Sequence, residues 1–229
     1  MKWFCKNWYW VGGVVASATL VYLIAAWGGL SVLVRLQLMS FIAILVHQFE
    51  EYGWPGGEPA IMNIVLQRSD IPDHYPLNRF SAMFTNVLIA YTMYLLPVFF
   101  PDVIWLGLGP MFLGFLQFIV HGIATNIRLR SFYNPGLGAV VLLHYPIGIY
   151  YCWYVAHNGL ATTGDWIWGT VYALLSSGLV IGFMTYKVLA NRDSKWHFSE
   201  EEMERFHVKE KMAHPFFPVA APADRHSHT

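Results

Sequence analysis

Apolar residues gather in six long stretches along the chain, near 9–28, 31–51, 79–100, 103–127, 135–156 and 166–189. A lipid core offers the backbone no hydrogen-bond partner, so about 20 mostly apolar residues in a row predict a helix that crosses a bilayer. Gly28-Gly29 and Pro101-Asp102 mark the turns between the first two stretches and the middle two. The pattern therefore predicts an all-α, polytopic membrane bundle of about six transmembrane helices. Apolar sequence runs on past Ala16-Ser17-Ala18 to Trp27, which fits an uncleaved first helix better than a signal peptide.

The polar interruptions divide the chain into a bundle, residues 1–190, and a tail, 191–229. The segment from Tyr52 to Asn78 is too long for a simple connector, and long ordered loops are often functional. In the tail, Ser199-Glu200-Glu201-Glu202 is a capping-box pattern that predicts a short charged helix to about Met212. The Pro-rich end with His214, His226 and His228 predicts disorder.

Charge position orients this map. Lys and Arg collect in cytoplasmic loops. With the N-terminus inside, Lys2, Lys6, Arg68, Arg79, Arg128, Arg130, Lys187 and the basic residues of the tail share the cytoplasmic side, and the three outer loops hold none. Both termini are thus expected in the cytoplasm, with the chain in the cell's inner (plasma) membrane. Arg35, the exception, lies near the outer end of the second stretch, within snorkelling reach of the interface. Trp3, Trp8, Tyr9 and Trp10, and Trp166 and Trp168, fit interfacial belts.

Composition agrees: 12% of residues are charged, against roughly 25% in a soluble domain. Zero net charge and the lack of a basic patch argue against a nucleic-acid partner; the lipid bilayer is the expected environment. Cys5 and Cys152 form no recognisable pair.

The candidate chemistry begins with His47, Glu50 and Glu51. Positions i, i+3 and i+4 share a helix face, so an imidazole and one or two carboxylates converge there as a partial metal site. Gln37 and Ser40 continue that stripe. Gln117, His121 and Thr125 share a face of the fourth stretch, and His144 interrupts the apolar fifth. At 1.5 Å per residue, His47, His121 and His144 lie about 6, 9 and 13 Å from the inner ends. Thr85 and Asn86 approach the same depth from the third stretch. The first and sixth stretches lack ionisable residues in their cores, which suggests a four-helix core, 31–156, around a cytoplasm-facing pocket whose mouth Tyr133 and Asn134 line. Two adjacent acids at a helix C-terminus oppose the helix dipole, so the Glu50-Glu51 pair calls for a compensating cation or shared proton. His74 in its Pro-rich loop and His157 at the surface are read as structural.

His47-Gln48-Phe49-Glu50-Glu51 followed by Trp54-Pro55, then His121 and Arg130-Ser131-Phe132-Tyr133-Asn134-Pro135-Gly136, resemble the HXXEE domain family of bacterial membrane proteins. The resemblance extends over most of residues 15–190. It implies a membrane bundle built around the motif and a catalytic role for it, without naming a reaction.

The leading expectation is a metal-dependent membrane hydrolase acting on a lipid-soluble or membrane-embedded substrate. His47, Glu50, Glu51, His121 and His144 are the candidate ligands for a divalent metal, Zn²⁺ first and iron second. The glutamate left over, Glu51 or Glu50, would be the general base. An iron-dependent lipid oxidase ranks lower, because the many-histidine boxes of membrane desaturases are absent. The Glu-Glu-x-x-x-Arg pattern of intramembrane CAAX-type proteases fails at Pro55. The other classes are a proton- or cation-coupled transporter, for which no inverted repeat is visible, and an accessory subunit of a membrane complex.

Overall fold

The computed structural model describes residues 1–213. Its described residues form helices and connecting loops with no strand, and six helices are long and apolar enough to span a membrane: Lys2–Gly29, Val32–Tyr52, Arg79–Phe99, Ile104–Leu129, Leu137–His157 and Thr163–Val188. The first starts seven residues earlier than the apolar pattern suggested. Local chemistry sets several of the other starts. The Ser31 hydroxyl accepts the Val34 N–H at 3.3 Å, and reciprocal capping boxes join Asn78 to Ser81 and Thr162 to Asp165. Each satisfies backbone donors that a helix start leaves open.

Spans two to five hold most of the buried surface. Of the second span's most apolar window 61% is buried, against 17% for the first span and 11% for the sixth. The sixth nevertheless lies close along the fourth: a Cβ on Gly169 would meet the Leu108 Cβ at 2.6 Å. Its C-terminal half also turns toward the bundle axis, where the Thr185 and Thr85 hydroxyls lie 2.6 Å apart. Between lipid-facing helices the hydrophobic effect supplies little attraction, so close approach and hydrogen bonds of this kind carry the packing.

The segment after the second span folds back instead of looping out. Gly56 and Gly57 adopt φ of +73° and +107°, conformations open to glycine, and turn the chain into a helix over 58–66 that carries Glu58 under the bundle. Asn63, fully buried, ties that helix to the rest of the loop. Its side-chain amide donates to the Pro72 and Leu77 carbonyls at 2.7 and 2.8 Å, and its oxygen accepts the Leu77 N–H at 3.0 Å.

The tail is no separate appendage. Phe198, Met203 and Val208 are buried in one cluster with Tyr52, Ile61, Val65 and Leu129. The Arg79 guanidinium pairs with Glu202, and Arg205 donates to the Tyr52 carbonyl at 2.7 Å. Ser199 and Glu202 form the expected capping box, yet the helix is broken: Glu200–Glu204 and Val208–Ala213 are separated by Phe206 and His207 at positive φ. Trp8 and Tyr9 are buried in the same cluster as Phe198, Met203 and Val208, while Trp3 and Trp10 are exposed. The loop, the tail and the adjoining ends of the spans thus close one end of the bundle. Arg35, by contrast, stacks over the Trp27 ring at 4.6 Å. The expectation for the Pro-rich end with His214, His226 and His228 falls outside the described residues.

Candidate metal centre

Three of the expected ligands meet inside the bundle. His47 and Glu51 face the same way one turn apart on the second span, and His121 reaches them from the fourth. Glu51 Oε1 lies 3.3 Å from His47 Nε2 and 3.3 Å from His121 Nε2. All three residues are buried, and their ligand atoms lie within 4.8 Å of one another.

The far side of each imidazole fixes its chemistry. His47 Nδ1 lies 3.0 Å from the Gly136 carbonyl, which only accepts, so Nδ1 carries the proton. His121 Nδ1 lies 2.8 Å from Asn134 Oδ1. The Asn134 amide nitrogen is committed as a donor to the His121 carbonyl at 2.6 Å and to Asn126 Oδ1 at 2.7 Å, so its oxygen must face the ring. In the neutral rings, both Nε2 lone pairs then point at a carboxylate oxygen. Three acceptors converging without a proton repel one another, and a cation among them removes the conflict. His47 Nε2 is buried with no hydrogen-bond partner. A ligating histidine whose other nitrogen donates to a carbonyl is the usual second contact of a metal site.

Backbone geometry makes this approach possible. Gly136 sits at φ +98°, and a Cβ there would meet Cε1 of both His47 and His121 at 2.8 Å. That conformation also delays the fifth helix to Leu137, two residues after Pro135. Asn134 orients His121 and also bonds Asn126 beside it. Asn134→Ala should weaken metal binding by about 10–100-fold while leaving the bundle folded, as read by zinc competition titration.

Glu50 stands apart from the cluster. Its Oε1 accepts the Tyr133 hydroxyl at 2.7 Å and the Gly138 N–H at 3.0 Å, and its Oε2 accepts the Ala139 N–H at 2.8 Å. The carboxylate caps the start of the fifth span, where the helix dipole favours it. This accounts for one of the two acids without a metal. His144 lies beside the cluster, its ring 5.7 Å from that of His47 and 5.7 Å from that of Tyr94, with Nε2 buried and unpartnered. Its ring is not one of the three converging groups.

A cavity of about 240 Å³ opens against Glu51 and His121. Thr85, Asn86 and Gln117 line it as expected from the sequence; Gln37, Ser40, Thr125, Tyr133 and Asn134 are not in its wall. Gln37 instead stands with the Tyr151 hydroxyl, both close to Gly107. The sixth span contributes Ser177, Ile181, Thr185 and Tyr186 to the wall, a place assigned in the sequence reading to the fifth. Ile44, Ile89, Leu113 and Leu116 add apolar surface to the wall.

Glu58 is the residue sequence reasoning missed. It is buried in the cavity wall, and its Oε2 has no partner. Burial, reinforced by the negative charge of Glu51, pushes its carboxyl well above the usual carboxylate range. The signal available was Gly56-Gly57-Glu58-Pro59, a turn followed by a helix start with an acid in its first turn.

A family model described as a protein of unknown function with HXXEE motif matches residues 38–151, about half of the chain. The chain belongs to this HXXEE family. The matched stretch contains His47, Glu51, Glu58, His121, Asn134 and Gly136, so every group that builds or orients the cluster lies within the family region. The tail and the first span lie outside it. No curated protein and no solved structure matches the chain.

Proposed function

We propose that this HXXEE protein is a metal-dependent membrane hydrolase acting on a lipid-soluble or membrane-embedded substrate. The observation that carries the reading is the convergence of two imidazole Nε2 atoms on one buried carboxylate oxygen. Two nitrogens and one oxygen suit Zn²⁺, and three protein ligands with a side open to a cavity is the arrangement of catalytic rather than structural zinc sites. Glu51 is here a ligand, not a base. An ion held by His47, Glu51 and His121 supplies Lewis acidity at the cavity wall.

The chain's own residues do the rest. Glu58, on the cavity wall, is placed to accept a proton from water as its oxygen bonds to the acyl carbon. It then returns that proton to the leaving oxygen or nitrogen as the acyl bond breaks. A volume of about 240 Å³ is below the roughly 300–1,000 Å³ of pockets that enclose whole drug-sized ligands. It accommodates an ester or amide with a short piece of chain. The apolar wall, with half-exposed Val120 at its edge, lets a longer hydrocarbon run toward lipid. Lys2, Lys6, Arg68, Arg79, Arg128 and Lys187 lie toward the end of the bundle that holds the cavity, and this clustering of basic residues supports a site on the cytoplasmic side of the plasma membrane.

The test uses purified protein in lipid nanodiscs with p-nitrophenyl esters of increasing acyl length. Hydrolysis that is lost on chelation, regained with Zn²⁺ and faster for longer chains is the expected result. Metal-loaded protein that cleaves no ester or amide, and instead drives cation uptake in liposomes, overturns the hydrolase reading in favour of a carrier.

A further inference from the structure

Asp73, His74 and His197 form a second convergence, at the joint between the 52–78 loop and the tail. Their ligand atoms lie within 4.8 Å of one another. Asp73 Oδ1 is 2.8 Å from His74 Nδ1, Asp73 Oδ2 is 2.7 Å from His197 Nδ1, and the two rings lie 4.1 Å apart at 37°. On its other side His74 Nε2 is 2.8 Å from the Arg192 carbonyl, an acceptor only, so Nε2 carries the proton of the neutral ring. Nδ1 then presents a lone pair to a carboxylate that also only accepts. A second proton would mend this contact, but it would put positive charge 4.1 Å from another imidazole competing for the same carboxylate. A divalent ion satisfies both rings and the carboxylate at once, and the bond from Nε2–H to a backbone carbonyl is the orienting contact expected of a ligating histidine.

We propose that Asp73, His74 and His197 bind a second divalent cation of the Zn²⁺ class, which clasps the tail to the loop. Imidazole nitrogens with one carboxylate suit zinc among the abundant divalent ions. Asp73 and His197 are about half exposed, at 47% and 49% of their side chains, so this site takes its ion directly from solution, unlike the buried centre. The surrounding bonds are already in place: the Phe198 N–H donates to the Asp73 carbonyl at 2.8 Å, and Arg192 pairs with Asp70. Through Asn63, which holds the Pro72 and Leu77 carbonyls, the clasped loop is continuous with the helix that carries Glu58. The ion would therefore stiffen the segment beneath the cavity without touching it.

The experiment is zinc content by mass spectrometry of full-length protein, dialysed at a fixed free Zn²⁺ concentration, for wild type, His197→Ala, Asp73→Asn and Glu51→Gln. The histidines beyond residue 213 are common to all four, so only differences between them count. Wild type should hold one ion more than His197→Ala and one more than Asp73→Asn. His197 is half exposed, so its removal leaves the fold intact, and an unchanged melting temperature of the zinc-free proteins checks this. Equal zinc in wild type and both clasp variants overturns the proposal, whatever Glu51→Gln does. An ion lost in Glu51→Gln alone leaves the buried centre standing without the clasp, and an ion lost in the clasp variants alone leaves the clasp standing without the buried centre.

Discussion

Glu51→Gln should strip the buried centre of its metal, weakening binding by more than about 100-fold, beyond the 10–100-fold typical of losing an orienting partner. Glu51 Oε1 is the atom on which both Nε2 atoms converge at 3.3 Å, so a neutral amide removes the charge that holds a cation there. It also allows an N–H to turn toward one imidazole, filling the space with a hydrogen bond. The fold should survive, because the amide keeps the shape of the carboxylate. Glu50→Gln is the control one residue away. It should retain the metal and destabilise the bundle by about 1–3 kcal/mol, since it weakens two backbone N–H contacts at the start of the fifth span. Zinc content and thermal unfolding, measured on both variants, separate the roles. Metal kept in Glu51→Gln and lost in Glu50→Gln would reverse the ligand assignment.

Glu58→Gln should keep the metal and lose turnover, by about 10²–10⁴-fold, the range a positioned proton-transfer group supplies. Glu58 is not one of the three converging groups, and its unpartnered oxygen lies in the cavity wall with Glu51 and His121. Glutamine fills the same volume but cannot take up a proton. The expected signature is unchanged zinc content, unchanged KM and a depressed kcat in the ester assay. Full activity in this variant would remove Glu58 from the mechanism, while loss of zinc would make it a ligand.

The parts of the fold that depend on one element at a time are legible in the amino-acid pattern. Six apolar stretches long enough to cross the hydrocarbon core predict helices, and the 3.6-residue period puts His47 and Glu51 on one face. Intramembrane histidines are costly enough that His121 stood out as a candidate partner. The rest depends on how elements meet. Glu50 and Glu51 point about 100° apart on the helix, and periodicity leaves open which of them faces His121. Which of them does is set by the position of the fifth span, whose Gly138 and Ala139 N–H groups capture Glu50. Periodicity also cannot say where a loop goes. Glu58 enters the cavity because Gly56 and Gly57 turn back and Asn63 pins the returning helix, and His197 reaches Asp73 across more than a hundred residues because the tail buries Phe198 against the same end of the bundle. Those contacts join segments far apart in the chain, and their energies exist only once the helices have packed.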